Sequence, residues 1–125
     1  MKILYVGGEA VPFVSTGGLG DVLGSLPAAI AKESSENDVR VVIPLHSKIP
    51  SVWKDKMTVA ASFDVHLAWR VQHADIMKLE KDGVVYYFVA NDYYFSRNNV
   101  YGEYDDGERY AFFCKAAVEM LPRIG

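Results

Sequence analysis

Residues 15–25 read Ser-Thr-Gly-Gly-Leu-Gly-Asp-Val-Leu-Gly-Ser, after the apolar run Ile3-Leu4-Tyr5-Val6 and ahead of a helical pattern. A strand that ends in a glycine-rich loop and feeds a helix lets the backbone pass close to a ligand, because glycine carries no Cβ. The free N–H groups of the helix's first turn then face that ligand and favour an anion, phosphate above all. The spacing meets neither the dinucleotide fingerprint G-x-G-x-x-G nor the P-loop, since no Lys-Ser or Lys-Thr follows. Two readings stand on the glycines alone: a phosphate-bearing ligand, or a tight strand-to-helix turn without one.

The elements that must position this loop are legible. Lys2–Val6 is a short apolar run suited to a strand buried on both faces. Leu19, Val22, Leu23, Leu26, Ile30 and Ala31 recur at helical spacing and predict a helix from Leu19 to Glu33, with Pro27 inside it and a bend there. Ser34 to Asp38 reads as a polar turn, and Val39–Pro44 as a second buried strand. Strand, loop, helix and strand form a parallel βαβ unit, whose ligands sit beyond the carboxyl ends of the strands. Thr58–Leu67 and Val71–Leu79 read as an antiparallel excursion. Val84–Ala90, after the turn signal Asp82-Gly83, reads as a return to the main sheet. Asn91 to Gly107 is a long loop, which is a place for function. In it Tyr93, Tyr94 and Phe95 are expected to pin the loop to the core. Asp106-Gly107-Glu108 opens a last helix to about Leu121, closed by Pro122 and Gly125.

Composition removes several classes. With 125 residues, half of them hydrophobic, the chain fits one domain with a real core. A formal net charge of −3 argues against a nucleic-acid module. No apolar run is long enough for a membrane span, and Met1-Lys2 leads into a strand without a signal-peptide pattern. The single cysteine, Cys114, allows no intrachain disulfide and reads as a buried helix residue on the pattern Tyr110, Phe113, Cys114, Ala117; this fits a reducing cytoplasm. The clusters Glu103 to Asp106 with Glu108, and Glu80-Lys81-Asp82, read as solvated turns rather than metal sites. His66 and His73 read as surface strand residues. His46 lies nearer the expected cleft and reads as a polar loop residue or a functional one.

The wider string is more specific. Lys2 to Phe13, with Glu9-Ala10-Val11-Pro12-Phe13, then Thr16-Gly17-Gly18-Leu19-Gly20-Asp21-Val22 and Ser25-Leu26-Pro27, resembles bacterial glycogen synthases and plant starch synthases. Members begin with a strand, a Glu-x-x-Pro-[Phe/Leu] turn, Lys-Thr-Gly-Gly-Leu-[Gly/Ala]-Asp-Val and a helix carrying Gly-[Ser/Ala]-Leu-Pro. A second match is Asn99-Val100-Tyr101-Gly102, the pair Asp105-Asp106, and Glu108-Arg109-Tyr110-Ala111-Phe112-Phe113. One departure stands out: Ser15 occupies the place of the family's lysine, the cation nearest the donor's diphosphate and glucose.

The resemblance implies a Rossmann-like α/β fold with a mostly parallel, three-layer sheet. It implies a retaining transfer of glucose from ADP-glucose (UDP-glucose in some relatives) to an α-1,4-glucan, without metal or cofactor. It places Ser15, Thr16, Gly17 and Gly18 against the donor's phosphate and glucose. Asp21 would bond a donor hydroxyl, against the competing reading of a helix cap. Tyr101 aligns with a tyrosine of the family's active-site cleft. Residues 1–125 are then expected to be part of an amino-terminal domain, lacking the second domain, inactive alone, and self-associating through an open edge. The alternatives are a flavodoxin-like nucleotide- or glucan-binding module without catalysis, and a structural interaction protein.

Overall fold

The computed structural model describes residues 1–124. The elements are β1 (Lys2–Val6), α1 (Gly18–Glu33), β2 (Asp38–Pro44), α2 (Ser51–Lys54), β3 (Thr58–Leu67), β4 (Arg70–Lys81), β5 (Val84–Ala90), α3 (Asp92–Phe95) and α4 (Asp106–Ile124). They build one five-stranded sheet in the order β1-β2-β5-β4-β3. β1 runs parallel to β2 and β2 parallel to β5, so the three predicted core strands share a carboxyl rim. The β3–β4 hairpin is not an excursion from this sheet. β4 pairs antiparallel with β5 over Asp75↔Ala90 to Lys81↔Val84, and so extends it. The Asp82-Gly83 turn that joins them places both residues at positive φ, 54° and 77°, as a tight two-residue hairpin turn requires.

Side-chain alternation divides the core into two layers. On one face Val39, Val41 and Ile43 of β2 join Leu23 of α1 and Tyr86 and Phe88 of β5. On the other, Val42, Tyr87 and Val89 meet Phe112, Phe113, Ala116, Ala117 and Met120 of α4. Complete burial of each large apolar side chain contributes roughly 1.5–3 kcal/mol before ordering entropy is charged against it.

Several expectations are corrected. Cys114 is exposed: the buried seam of α4 runs through Phe112, Phe113, Ala116, Ala117 and Met120, and Cys114 falls off it. α4 does not stop near Leu121 but continues through Pro122 to Ile124. The carbonyl that Pro122 cannot bond belongs to Val118, an exposed residue on the solvent side of the helix, where the loss is tolerated. The expected role of Gly125 lies outside the described residues. On α1 only Gly20, Leu23 and Pro27 are buried, and Leu19, Val22 and Leu26 are exposed. In the Asn91–Gly107 segment Tyr94 and Phe95 are buried as expected, within the short helix α3, whereas Tyr93 is exposed.

Candidate functional site

The candidate site lies where β1 ends. Gly7 continues the β1–β2 ladder by donating its N–H to Val42 O at 3.1 Å. The chain then folds into the turn 9–14. Ala10 and Val14 exchange backbone bonds, and Val11 N–H reaches Gly20 O in the first turn of α1. Phe13 anchors the turn: its ring is fully buried and meets Trp53, Tyr86 and Phe88 edge-on at 5.0–5.2 Å, the favoured geometry for aromatic pairs. The loop is therefore held from both ends before any ligand arrives.

Its centre is Glu9, a carboxylate only 3 % exposed. It accepts from the backbone N–H of Thr16, from Thr16 Oγ1 at 2.9 Å, and from the Tyr101 hydroxyl at 3.3 Å. Burial pushes its pKa up, but bonds from Thr16, Gly17 N–H and Tyr101 outweigh burial and leave it below the usual carboxylate range. Burial and the Glu9 charge push the Tyr101 phenol up to about 12. Glu9 thus ties the glycine loop to a residue 92 positions away in the chain. Sequence reasoning saw Glu9 only as part of a turn motif. Its position three residues before a proline, in a strand-to-helix loop, is the signal that singles it out.

Tyr101 is presented by a segment with dense internal bonding. Arg109, fully buried, donates to the carbonyls of Tyr94, Asn99 and Val100 and to Asp106. Arg97 binds Asp105 through both terminal nitrogens and Tyr93 O through Nε. The Tyr110 hydroxyl donates to Val100 O at 2.6 Å, and the Tyr110 and Tyr101 rings stack at 5.5 Å. The acidic cluster is therefore no solvated turn: Glu103, Asp105 and Asp106 are partners of two arginines. His46 is also not a plain polar loop residue. It is buried, and its Nε2–H donates to Gly8 O at 2.8 Å, since a carbonyl oxygen only accepts. Burial, with the Arg109 charge acting the same way, lowers its pKa against the raising effect of the Gly8 bond and the Glu9 charge. His66 and His73 lie on the exposed hairpin as expected.

The glycines divide into two kinds. A Cβ on Gly8 would lie 2.5 Å from the Tyr101 hydroxyl, and one on Gly20 would lie 2.3 Å from Ser15 Oγ and 3.0 Å from Glu9 Oε2. These two are glycine because the protein packs against them. Gly17 and Gly18 are different: a Cβ on either meets nothing within 4 Å, and neither has positive φ. Nothing in the folded chain requires glycine there, and both face open space at the head of α1.

Among the sequence-predicted residues, Thr16 and Tyr101 converge on Glu9. Ser15 is exposed and donates to Gly17 O at 3.2 Å. Asp21 is exposed in the first turn of α1, yet Gly17, not Asp21, stands at the N-cap and no side chain caps the helix. Asp21 makes no cap hydrogen bond, and as an acidic residue in the first turn it still suits the positive end of the helix. Among the described residues no three His, Cys, Asp or Glu side chains are grouped to hold a metal ion, and no helix is long and apolar enough to cross a membrane.

Comparison with known proteins identifies the family. A family model described as the starch synthase catalytic domain matches residues 2–125. Glycogen synthase of Ligilactobacillus salivarius is 50 % identical over 125 residues, covering 100 % of this chain and 26 % of the relative. Glycogen synthase of Anoxybacillus flavithermus is 48 % identical over 124 residues, covering 99 % of this chain and 25 % of the relative. The chain spans about a quarter of the length of these curated relatives. In fold it is similar to the catalytic domain of starch synthase IV from Arabidopsis thaliana, bound to ADP and acarbose: TM-score 0.81, 23 % identity, 95 % of this chain and 24 % of that one. The strand–glycine loop–helix unit, the second motif around Tyr101 and the match along the whole chain agree, and the chain belongs to the starch synthase catalytic domain family.

Proposed function

We propose that the protein containing this chain is a retaining glucosyltransferase that moves glucose from ADP-glucose to the 4-hydroxyl at the non-reducing end of an α-1,4-glucan, and that residues 15–18 cradle the donor's diphosphate. The observation that carries this is the Gly17–Gly18 pair. Two glycines that the fold does not need stand open at the head of a helix, in a family of starch synthase catalytic domains.

In this reading the N–H groups of the first turn of α1 receive the phosphate oxygens, and an added Cβ at 17 or 18 would occupy the ligand's space. Glu9 positions Thr16 and Tyr101 rather than touching the donor. Asp21, exposed and not engaged as a cap, bonds a donor hydroxyl. Tyr101 forms a wall of the cleft. Ser15 contributes one hydroxyl where the family has an ammonium. Stabilising the departing diphosphate is an electrostatic task. The cations for it, with the nucleotide pocket, come from a second domain elsewhere in the longer protein. Residues 1–125 are then one part of an amino-terminal glycosyltransferase domain, acting in the cytoplasm without metal or cofactor.

Two outcomes are expected in solution. The full-length protein incorporates labelled glucose from ADP-glucose into glycogen, while residues 1–125 alone do not. Turnover by the isolated segment would refute the division of labour. The isolated segment also self-associates, because among the described residues β1 pairs only with β2 and Val6 on it is exposed. A strictly monomeric sedimentation profile at high concentration would overturn that point.

A further inference from the structure

The loop after β2 holds a buried polar side chain to which the proposed chemistry gives no part. His46 lies two residues beyond the end of β2 and is only 2 % exposed. The backbone around it is tied at three points. Leu45 N–H donates to Val89 O of β5 at 2.8 Å, Ser47 N–H to Phe95 O of α3 at 3.1 Å, and Ile49 N–H to His46 O at 3.1 Å. The imidazole meets the buried Phe95 ring edge-on at 5.7 Å. His46 is therefore a rigid donor, fixed from β5 and α3 rather than from the loop it serves.

That donor reaches from the loop after β2 to the loop after β1. His46 Nε2–H donates to Gly8 O at 2.8 Å, 38 positions away in the chain. Gly7-Gly8 is the link through which β1 leads to Glu9, and neither glycine has a side chain to fix its backbone. Gly7 N–H is held by Val42 O. The Gly8 carbonyl and the Glu9 N–H belong to one planar peptide unit, so holding the carbonyl sets the direction in which Glu9 leaves the chain. The same glycine is packed against Tyr101: a Cβ on Gly8 would lie 2.5 Å from the phenol oxygen and 3.2 Å from two ring carbons. A rotated Gly8 peptide would therefore carry Glu9 away from Thr16 and push backbone toward Tyr101. Both residues are partners of the Glu9 carboxylate. A buried donor can serve merely to satisfy a carbonyl. This one joins the ends of two strands and acts on the peptide that carries Glu9.

We infer that His46 is a positioning residue for glucosyl transfer: by holding the Gly8 carbonyl it fixes Glu9, and through Glu9 it keeps the loop from Thr16 to Gly18 and the Tyr101 ring in the reacting geometry. This rests on the proposed glucosyl-transfer reading, and the test separates the two. In the full-length protein, His46→Phe keeps a ring but has no donor, while His46→Gln keeps a donor amide about as far from the backbone as Nε2. Both are compared with wild type by steady-state kinetics with ADP-glucose and glycogen, by thermal unfolding and by native-state amide exchange. In His46→Phe, kcat is expected to fall about ten-fold with the KM for ADP-glucose changed less than about two-fold, since a displaced loop still meets the diphosphate but out of line for reaction. His46→Gln should recover kcat to within about three-fold of wild type, because the carbonyl keeps a donor. The Thr16 amide, which donates to Glu9, should exchange about ten-fold faster in His46→Phe relative to the amides of β5. Wild-type kcat in His46→Phe overturns the inference, and wild-type kcat beside a lowered Tm would mark a merely structural bond. Equal losses of kcat in the two variants also overturn it. Should His46→Phe fail to fold, His46→Asn, whose shorter amide stops short of Gly8 O, takes its place in the comparison. If the wild type transfers no glucose from ADP-glucose, the proposed function falls instead, and the exchange of the Thr16 amide still decides whether His46 governs the loop: an unaltered rate overturns that.

Discussion

Replacing Ser15 by lysine tests how the glycine loop handles charge. Ser15 is exposed, and its hydroxyl makes one bond, to Gly17 O at 3.2 Å. Losing that exposed bond costs at most about 0.5–1.5 kcal/mol. Ser15 and Glu9 face each other across Gly20, where an added Cβ would touch both. A lysine here has two destinations, the Glu9 carboxylate or the mouth of the loop. Glu9 is already served by Thr16 and Tyr101 and is almost wholly buried, so the ammonium goes outward to the donor. A unit charge ~4 Å from a phosphate charge is worth about 4 kcal/mol at an effective dielectric near 20. Dehydration of the ammonium and ordering of a side chain with up to ~2 kcal/mol of rotamer entropy take back more than half. Roughly 1.4 kcal/mol remains, so Ser15→Lys in the full-length protein should raise kcat/KM for ADP-glucose about ten-fold. A gain confined to KM would mean that the charge binds donor and transition state equally. No gain, or a loss, would refute the placement of Ser15 beside the diphosphate.

Glu9→Ala removes the acceptor of two Thr16 donors and of the Tyr101 hydroxyl, and should destabilise the protein by about 2–4 kcal/mol in urea unfolding, with Glu9→Gln costing roughly half; wild-type stability in Glu9→Ala would show that the loop does not depend on it. The Asp64 and Asp75 carboxylates raise the His73 pKa. Its stabilising effect is therefore full below the unfolded value near ~6.5 and lost as pH rises through the folded value. Amide protection of the β3–β4 hairpin should be higher at pH 6 than at pH 8, and His73→Gln should abolish the difference; a pH-independent wild type would contradict this.

The strands of the parallel core were readable because burial on both faces leaves near-continuous apolar runs, as in Val39–Pro44 and Val84–Ala90. The hairpin was readable from Asp82-Gly83, since few other pairs tolerate the backbone it needs. Glu9 was not readable as the centre of the site, because its burial depends on Tyr101, which arrives from the far end of the chain. The same holds for His46, a polar residue after a strand whose buried partner is a carbonyl 38 positions away. On α4, a register one residue off moved Cys114 into the core, since the buried seam is two residues wide per turn. On α1 the apolar stripe was real, but Leu23, Ile30 and Ala31 of it pack against the sheet while Leu19, Val22 and Leu26 stay exposed, and periodicity does not say which part of a stripe finds a partner. Gly17 and Gly18 were readable as glycines, but only the packing around them separates them from Gly8 and Gly20, which the fold itself demands.

The claim that the open glycines are kept for a ligand is tested most directly by Gly18→Ala in the full-length protein, with stability and donor kinetics measured on the same preparation. Gly18 is the first residue of α1, and a Cβ there meets nothing within 4 Å. Alanine should therefore leave the fold intact or stabilise it by about 0.4–1 kcal/mol. If the loop cradles the donor's diphosphate, the same methyl group stands in the ligand's space, and kcat/KM for ADP-glucose should fall at least about 100-fold. A variant that is as stable as wild type and nearly inactive is the predicted result. Wild-type kinetics in Gly18→Ala would remove the loop from the active site.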